Sequence, residues 1–149
     1  MYYIGIDISK FKHDCAVIDD SGEIITPSWS FTNDSEGFSQ LKMLLDSLDA
    51  ETRIGLESTG HYGMNLKLFL ESIGFSFMEF NPLLINRFVK SKSLRKTKSD
   101  SIDCMMIAHY LMTVEYKPYP TLLYHTEKLK SLTRFRDSLI RQRSRQLVE

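Results

Sequence analysis

The chain has 149 residues, 42% hydrophobic and 26% charged, with 19 basic side chains balancing 19 acidic ones. This excludes collagenous, low-complexity and disordered chains, and the length is enough to bury a core without disulfide or metal staples. No apolar run is long enough to span a membrane, the N-terminus has neither region of a signal peptide, and Cys15 and Cys104 are too few for a disulfide framework, so a reduced cytoplasmic protein with no membrane partner is expected.

Tyr2–Ile8 reads as a buried strand and His13–Asp19 as a second. The turn signal Asp20-Ser21-Gly22 leads into a third, Glu23–Phe31, where Pro27 marks an edge position because proline cannot donate to a ladder. Asn33 or Asp34 is set to cap a helix whose Phe38, Leu41, Leu44, Leu45 and Leu48 recur at helical spacing. A fourth strand, Thr52–Glu57, precedes a helix over His61–Ile73, with Gly74 as the residue just past its end. Phe75–Phe80 is a fifth strand, and Asn81-Pro82 opens another helix. Ser91–Ser99 is polar and basic, as a loop would be. Ser99 or Asp100 then starts a helix to about Met112, Lys117–Pro120 breaks the chain, and from Thr126 the sequence is helical to its end. The order β-β-β-α-β-α-β-α-α predicts an α/β fold. Three antiparallel strands and then two parallel ones form a mixed five-stranded sheet with helices on both faces, plus an extended C-terminal helix. The ribonuclease H-like fold has this order, by analogy. The expected division is a domain over 1–115, a linker over 116–125 and the start of a basic, coiled-coil-like helix over 126–149.

The charge balance hides an asymmetry. Residues 1–80 hold 13 acidic and 5 basic side chains, and residues 81–149 hold 6 acidic and 14 basic. Such a split points to contact with nucleic acid.

Four carboxylates fall where this sheet could gather them. Asp7 sits in the apolar first strand, where a carboxylate is costly to bury uncompensated, and Glu57 closes the fourth. Asp100 and Asp103, at i and i+3, share a helix face. Gathered carboxylates repel one another and so imply a cation. Hard oxygen donors suit Mg²⁺ or Mn²⁺, and a pair of such ions can stabilise the attacking and leaving oxygens of a phosphodiester. Each acid also has a bland reading: Asp7 as a cap or ion pair, Glu57 as a solvated strand end, Asp100 and Asp103 as complements to a helix dipole.

These residues carry a resemblance. Gly5-Ile6-Asp7-Ile8-Ser9-Lys10, Leu56-Glu57-Ser58-Thr59-Gly60-His61-Tyr62, Asn81-Pro82 and Lys96-Thr97-Lys98-Ser99-Asp100-Ser101-Ile102-Asp103-Cys104 follow in order over about residues 2–115. Together they resemble the N-terminal, RuvC-like domain of the DEDD transposases, insertion-sequence recombinases guided by a bridge RNA. Cys104 departs from the family's usual alanine but is similarly small. The resemblance implies that Asp7, Glu57, Asp100 and Asp103 are the catalytic, metal-binding acids. It further implies excision and insertion of a mobile element with DNA and a guide RNA as partners. It places a serine nucleophile in a second domain absent from this chain, so that the fragment alone is inactive in full transposition.

Around the acids, Lys10 and Lys12 could meet a phosphate or simply lie in a solvated turn. Ser58 and Thr59 are read as capping the helix near His61, and Gly60 as allowing a close backbone approach. His61 could carry a proton or be structural, and Tyr62 is expected to pack. Arg87, Lys90, Lys92, Arg95, Lys96 and Lys98 form a basic run without an acid, read as holding a phosphate backbone. The last helix sets Leu129, Leu132, Phe135, Leu139 and Leu147 among arginines. Of these Arg134, Arg141 and Arg145 are assigned to nucleic acid, and the apolar stripe to self-association. Two other readings stand beside the recombinase. An actin-like ATPase or sugar-kinase half also opens with Gly-Ile-Asp, but it would want a glycine-rich turn that Ile8–Lys12 lacks. A non-catalytic nucleic-acid-binding module would make the acids merely structural.

Overall fold

The computed structural model describes residues 1–57, 60–92, 100–120 and 124–146, with only the backbone for residues 100–103 and 124–129. The elements are β1 (Tyr2–Ile8), β2 (Lys12–Asp19), β3 (Ile24–Thr32), α1 (Ser35–Ser47), β4 (Thr52–Glu57), α2 (Met64–Ser72), β5 (Phe77–Phe80), α3 (Pro82–Lys92), α4 (Asp100–Thr113) and α5 (Tyr124–Gln146). The strands form one sheet in the order β3-β2-β1-β4-β5. The β1–β2 and β2–β3 pairs are antiparallel, and β4 runs parallel to both β1 and β5. This is the expected mixed sheet. Pro27 lies on the outermost strand, between the Cys15–Trp29 and Val17–Thr26 pairs where the register shifts. There a missing N–H costs no ladder bond.

Several boundaries differ from expectation for local reasons. Helix α2 starts at Met64 instead of His61, because residues 60–63 form a turn in which Gly60 adopts φ +66°. Nothing lies within 4 Å of a Cβ built on Gly60, so its glycine serves the left-handed backbone and not a close approach. No side chain caps α2, whose N-cap is Gly63; the expected caps Ser58 and Thr59 lie outside the described residues. Helix α3 runs through Lys92, past the expected loop start at Ser91, since neither residue is a helix breaker. Helix α1 is capped by Asp34, whose side chain accepts from the Gly37 N–H at 2.9 Å and the Thr32 hydroxyl at 2.7 Å. These bonds hold its carboxyl below the usual range.

The two faces of the sheet are filled differently. Ile4, Ile6 and Ile8 of β1, His13 of β2, Phe31 of β3 and Ile54 and Leu56 of β4 are buried and share one face by strand alternation. On that side Phe38 of α1 meets Phe31, His13 and Phe69 of α2, and a Cβ on Gly63 would come 2.7 Å from Ile8. On the other face Tyr3, Ile18, Phe80 and Ile85 pack with Ile107, Ala108 and Leu111 of α4. Helix α4 crosses β1 backbone to backbone at Gly5, where a Cβ would stand 2.0 Å from the Cys104 carbonyl oxygen and 2.5 Å from the Ala108 nitrogen. The chain divides into two compact units, Met1–Tyr119 and Pro120–Glu149. Within the second unit, α5 is 23 residues long and exposed at every described side chain. No described helix is long and apolar enough to cross a membrane.

Candidate active site

Asp7 is the penultimate residue of β1 and Glu57 the last of β4, and both are half-buried. The parallel register pairs Gly5 with Gly55 and Ile6 with Leu56, so Asp7 and Glu57 come level at the ends of neighbouring strands. Backbones of adjacent strands lie about 4.8 Å apart. Alternation puts both side chains on the face of Gly5 and Gly55, where α4 packs: Cys104 and Ala108 sit on Gly5, and Ile107 and Leu111 on Gly55.

The direction of α4 decides what else reaches this edge. Its residue 104 lies over Gly5, while residues 107–111 lie with Tyr3, so it runs antiparallel to β1. Its first turn therefore stands at the end of β1 that carries Asp7. Asp100 is the first residue of that turn and Asp103 precedes Cys104; the side chains of both lie outside the described residues. A helix N-terminus also presents partial positive charge to acids at this edge.

A fifth acid belongs to the same face. Asp14 of β2 pairs directly with Asp7 across the hairpin. It is 9% exposed and accepts a hydrogen bond from the Ser30 hydroxyl on β3. Sequence reading passed over it inside an apolar strand, although counting across the short Ser9–Phe11 turn would have set it opposite Asp7. Next to it the Cys104 thiol donates to the Ser28 hydroxyl at 3.2 Å. Burial pushes that thiol's pKa up, opposed by the Ser28 bond and reinforced by the charges of Asp14 and Asp7. Both cysteines are buried free thiols, as expected.

Among the described residues, no group of three or more His, Cys, Asp or Glu side chains is placed to hold a metal ion. Asp7 and Glu57 are half of the expected set, and Asp100 and Asp103 stand outside that test. The donor chemistry suits a hard divalent cation: carboxylates on two strand ends, on one face, beneath the first turn of a helix that begins with two more.

The supporting residues divide. Lys10, Lys12, Arg87, Lys90 and Lys92 are exposed, while Arg95, Lys96 and Lys98 lie outside the described residues. His61 is exposed and its ring lies 4.4 Å from that of Tyr62. Tyr62, expected to pack, is instead 38% exposed. On α5, Arg134, Arg141 and Arg145 line one shallow groove with Asp137, Ser138 and Gln142. Leu132, Phe135, Leu139 and Ile140 of that helix are about half exposed.

Comparison with known proteins bears on the family and the fold. A transposase family model of the DEDD, IS110 type matches residues 4–148. The chain is 32% identical over 112 residues to the pilin gene-inverting protein of Moraxella bovis, an alignment covering 72% of this chain and 33% of that protein. It is 28% identical over 115 residues to the IS117 mini-circle protein of Streptomyces coelicolor, described as a transposase, covering 74% and 27% respectively. The chain thus spans about a third of the length of the curated relatives it matches. In fold it is similar to Thermus thermophilus RuvC, solved in complex with a Holliday junction substrate. The TM-score is 0.60 at 11% identity, covering 80% of this chain and 99% of RuvC.

Proposed function

The chain belongs to the DEDD transposase family, and from that membership we propose that it is the metal-dependent catalytic domain of a recombinase. On this reading the full-length protein breaks and joins DNA phosphodiesters as a mobile element is excised and inserted. The observation that carries the reading is the level placement of Asp7 and Glu57 on one face, beneath the first turn of α4. Asp7, Glu57, Asp100 and Asp103 would hold two Mg²⁺ or Mn²⁺ ions. Bound there, the ions would neutralise charge developing on the attacking and leaving oxygens of a phosphodiester. Asp14, with Ser30 fixing its carboxylate, adds negative charge beside Asp7 and so favours cation binding.

The exposed bases divide the remaining work. Lys10, Lys12, Arg87, Lys90 and Lys92, with Arg95, Lys96 and Lys98, hold the sugar–phosphate backbone without reading sequence. A structured guide RNA selects the DNA sites, and its phosphates share this basic surface and the arginines Arg134, Arg141 and Arg145 of α5. The half-exposed apolar residues of α5 associate with a second copy in a cytoplasmic homo-oligomer. The expected division into residues 1–115, 116–125 and 126–149 then corresponds to a catalytic domain, a linker and an assembly helix, with the helix itself beginning two residues earlier, at Tyr124. A serine nucleophile is contributed from outside this chain.

Titrating Mn²⁺ calorimetrically into the wild-type chain, Asp7→Asn and Glu57→Gln tests the site. We expect affinity to fall at least tenfold in each variant while the fold is kept. Equal heats in all three would remove the metal assignment. Recombination by the full-length protein carrying Asp7→Asn separates catalysis from a merely structural role, since only the latter leaves recombination intact.

A further inference from the structure

Phe11, at the tip of the β1–β2 turn, is 76% exposed, more than any other large hydrophobic side chain among the described residues. A single exposed apolar residue is ordinary. This one is unusual in how its backbone is held. The Asn33 N–H donates to the Phe11 carbonyl at 2.9 Å, and the Asn33 side-chain amide donates to the Lys10 carbonyl at 3.1 Å. Ser9 closes the turn by donating its hydroxyl to the Lys12 carbonyl. The Lys10 ammonium stands 4.9 Å from the centre of the Phe11 ring, and Lys12 is exposed on the other side in sequence.

The same Asn33 amide also reaches the Tyr62 carbonyl at 3.4 Å. It therefore ties the turn after Asp7 to the turn after Glu57, where the exposed Tyr62 ring lies against His61. Two aromatic rings and two exposed lysines are thus carried on turns that leave the two strands bearing the candidate metal-binding acids.

We infer that Phe11, with Tyr62 on the adjoining turn, is a stacking site for an unpaired nucleobase of single-stranded DNA. Lys10 and Lys12 would take the flanking phosphates. The occupant is a single strand because a base in a duplex already has both faces covered by its neighbours. An aromatic ring accepts any base by its π-face, so the site would grip without selecting sequence. The clamped backbone matters because a preorganised ring loses less freedom on binding. This inference rests on the nucleic-acid reading above and adds to it a contact with the base.

The test uses the 149-residue chain, a fluorescently labelled single-stranded oligonucleotide and the corresponding duplex. A second single strand carries 2-aminopurine, whose emission is quenched by stacking. We expect the wild type to prefer the single strand and to quench 2-aminopurine. Phe11→Ala should weaken single-strand binding roughly tenfold, abolish the quench and leave duplex binding unchanged. Phe11→Trp should restore both, and Phe11→Leu, apolar but without a π-face, should behave as alanine does. The ring's exposure makes misfolding of these variants a minor concern, and circular dichroism verifies it. The inference fails if Phe11→Ala binds the single strand as well as the wild type, or loses duplex binding in parallel. It also fails if Phe11→Leu retains full binding and quenching, which would mark the ring as a hydrophobic contact for another protein segment. In each of these cases the metal-dependent reading survives. Binding to neither strand form would instead overturn both.

Discussion

The two faces of the sheet solve different problems. The face under α1 and α2 is lined by Ile4, Ile6, Ile8, Phe31, Ile54 and Leu56, all nearly inaccessible. It holds the fold together by removing apolar surface from water. On the face under α4 the aliphatic and aromatic packing along β1 lies toward its start, around Tyr3, while Phe80 carries it across to the end of β5. At the other end of β1 it gives way to Gly5, Gly55 and the polar groups Asp7, Asp14, Ser28, Ser30 and Glu57. Glycine there lets α4 approach closely, and that approach delivers the helix's first turn to the acids. Both sides of the sheet thus carry core, whereas the chemistry is confined to one end of the side under α4.

Four substitutions or conditions can break or sharpen that contrast. Gly5→Val should have the largest effect, because its Cβ would overlap the Cys104 carbonyl 2.0 Å away. We expect a loss of about 4 kcal/mol or more, read by urea denaturation, because both clashing partners are backbone or strand-bound and cannot yield. If Gly5→Val is tolerated, α4 does not rest on β1 as described. Ile6→Ala, on the opposite face, should cost about 3 kcal/mol by the same measurement, from lost apolar burial and the cavity left behind. Asp7→Asn, one residue along the same strand, should change stability by no more than about 1 kcal/mol, since removing a charge from between Asp14 and Glu57 relieves repulsion as well as losing contacts. A large loss there would show that Asp7 serves the core and not the site.

The smallest expected effect is on pH dependence. His13 is buried on the apolar face, with the Ser9 N–H donating to its Nδ1 at 3.4 Å. Burial holds its pKa below the ordinary 6.5, against the opposing influence of the neighbouring Asn33 side chain and the charge of Asp14. The unfolded chain therefore binds more protons than the folded one between the lowered value and 6.5. Stability is full above about pH 6.5 and declines as the solution is acidified through that window. Comparing urea midpoints at pH 7 and pH 5 should show this fall in the wild type and a shallower one in His13→Gln. An unchanged slope in the variant would assign the acid sensitivity to other groups.

Reading the residues one after another located the strands because Val-, Ile- and aromatic-rich runs bounded by turn residues need only local physics. It narrowed the α1 cap to Asn33 or Asp34 for the same reason, and the structure selects Asp34. It placed α2 too early, because the left-handed turn at Gly60 is a backbone state that periodicity does not report. It passed over Asp14 because a carboxylate in a strand becomes significant only when its cross-strand partner is known, and that partner is Asp7. It expected Tyr62 to pack, since an aromatic ring usually finds a core, whereas this ring sits on a turn tied down by Asn33.

The sequence by itself determined the element order, the antiparallel opening of the sheet, the uneven charge of its halves and the identity of four candidate acids. These depend on side-chain periodicity, turn chemistry and composition, which the linear chain carries. Tertiary structure alone decided that Asp7, Asp14 and Glu57 share a face and that α4 begins over them. Strand register and helix direction are set by packing between distant segments, here by a glycine that lets two backbones meet.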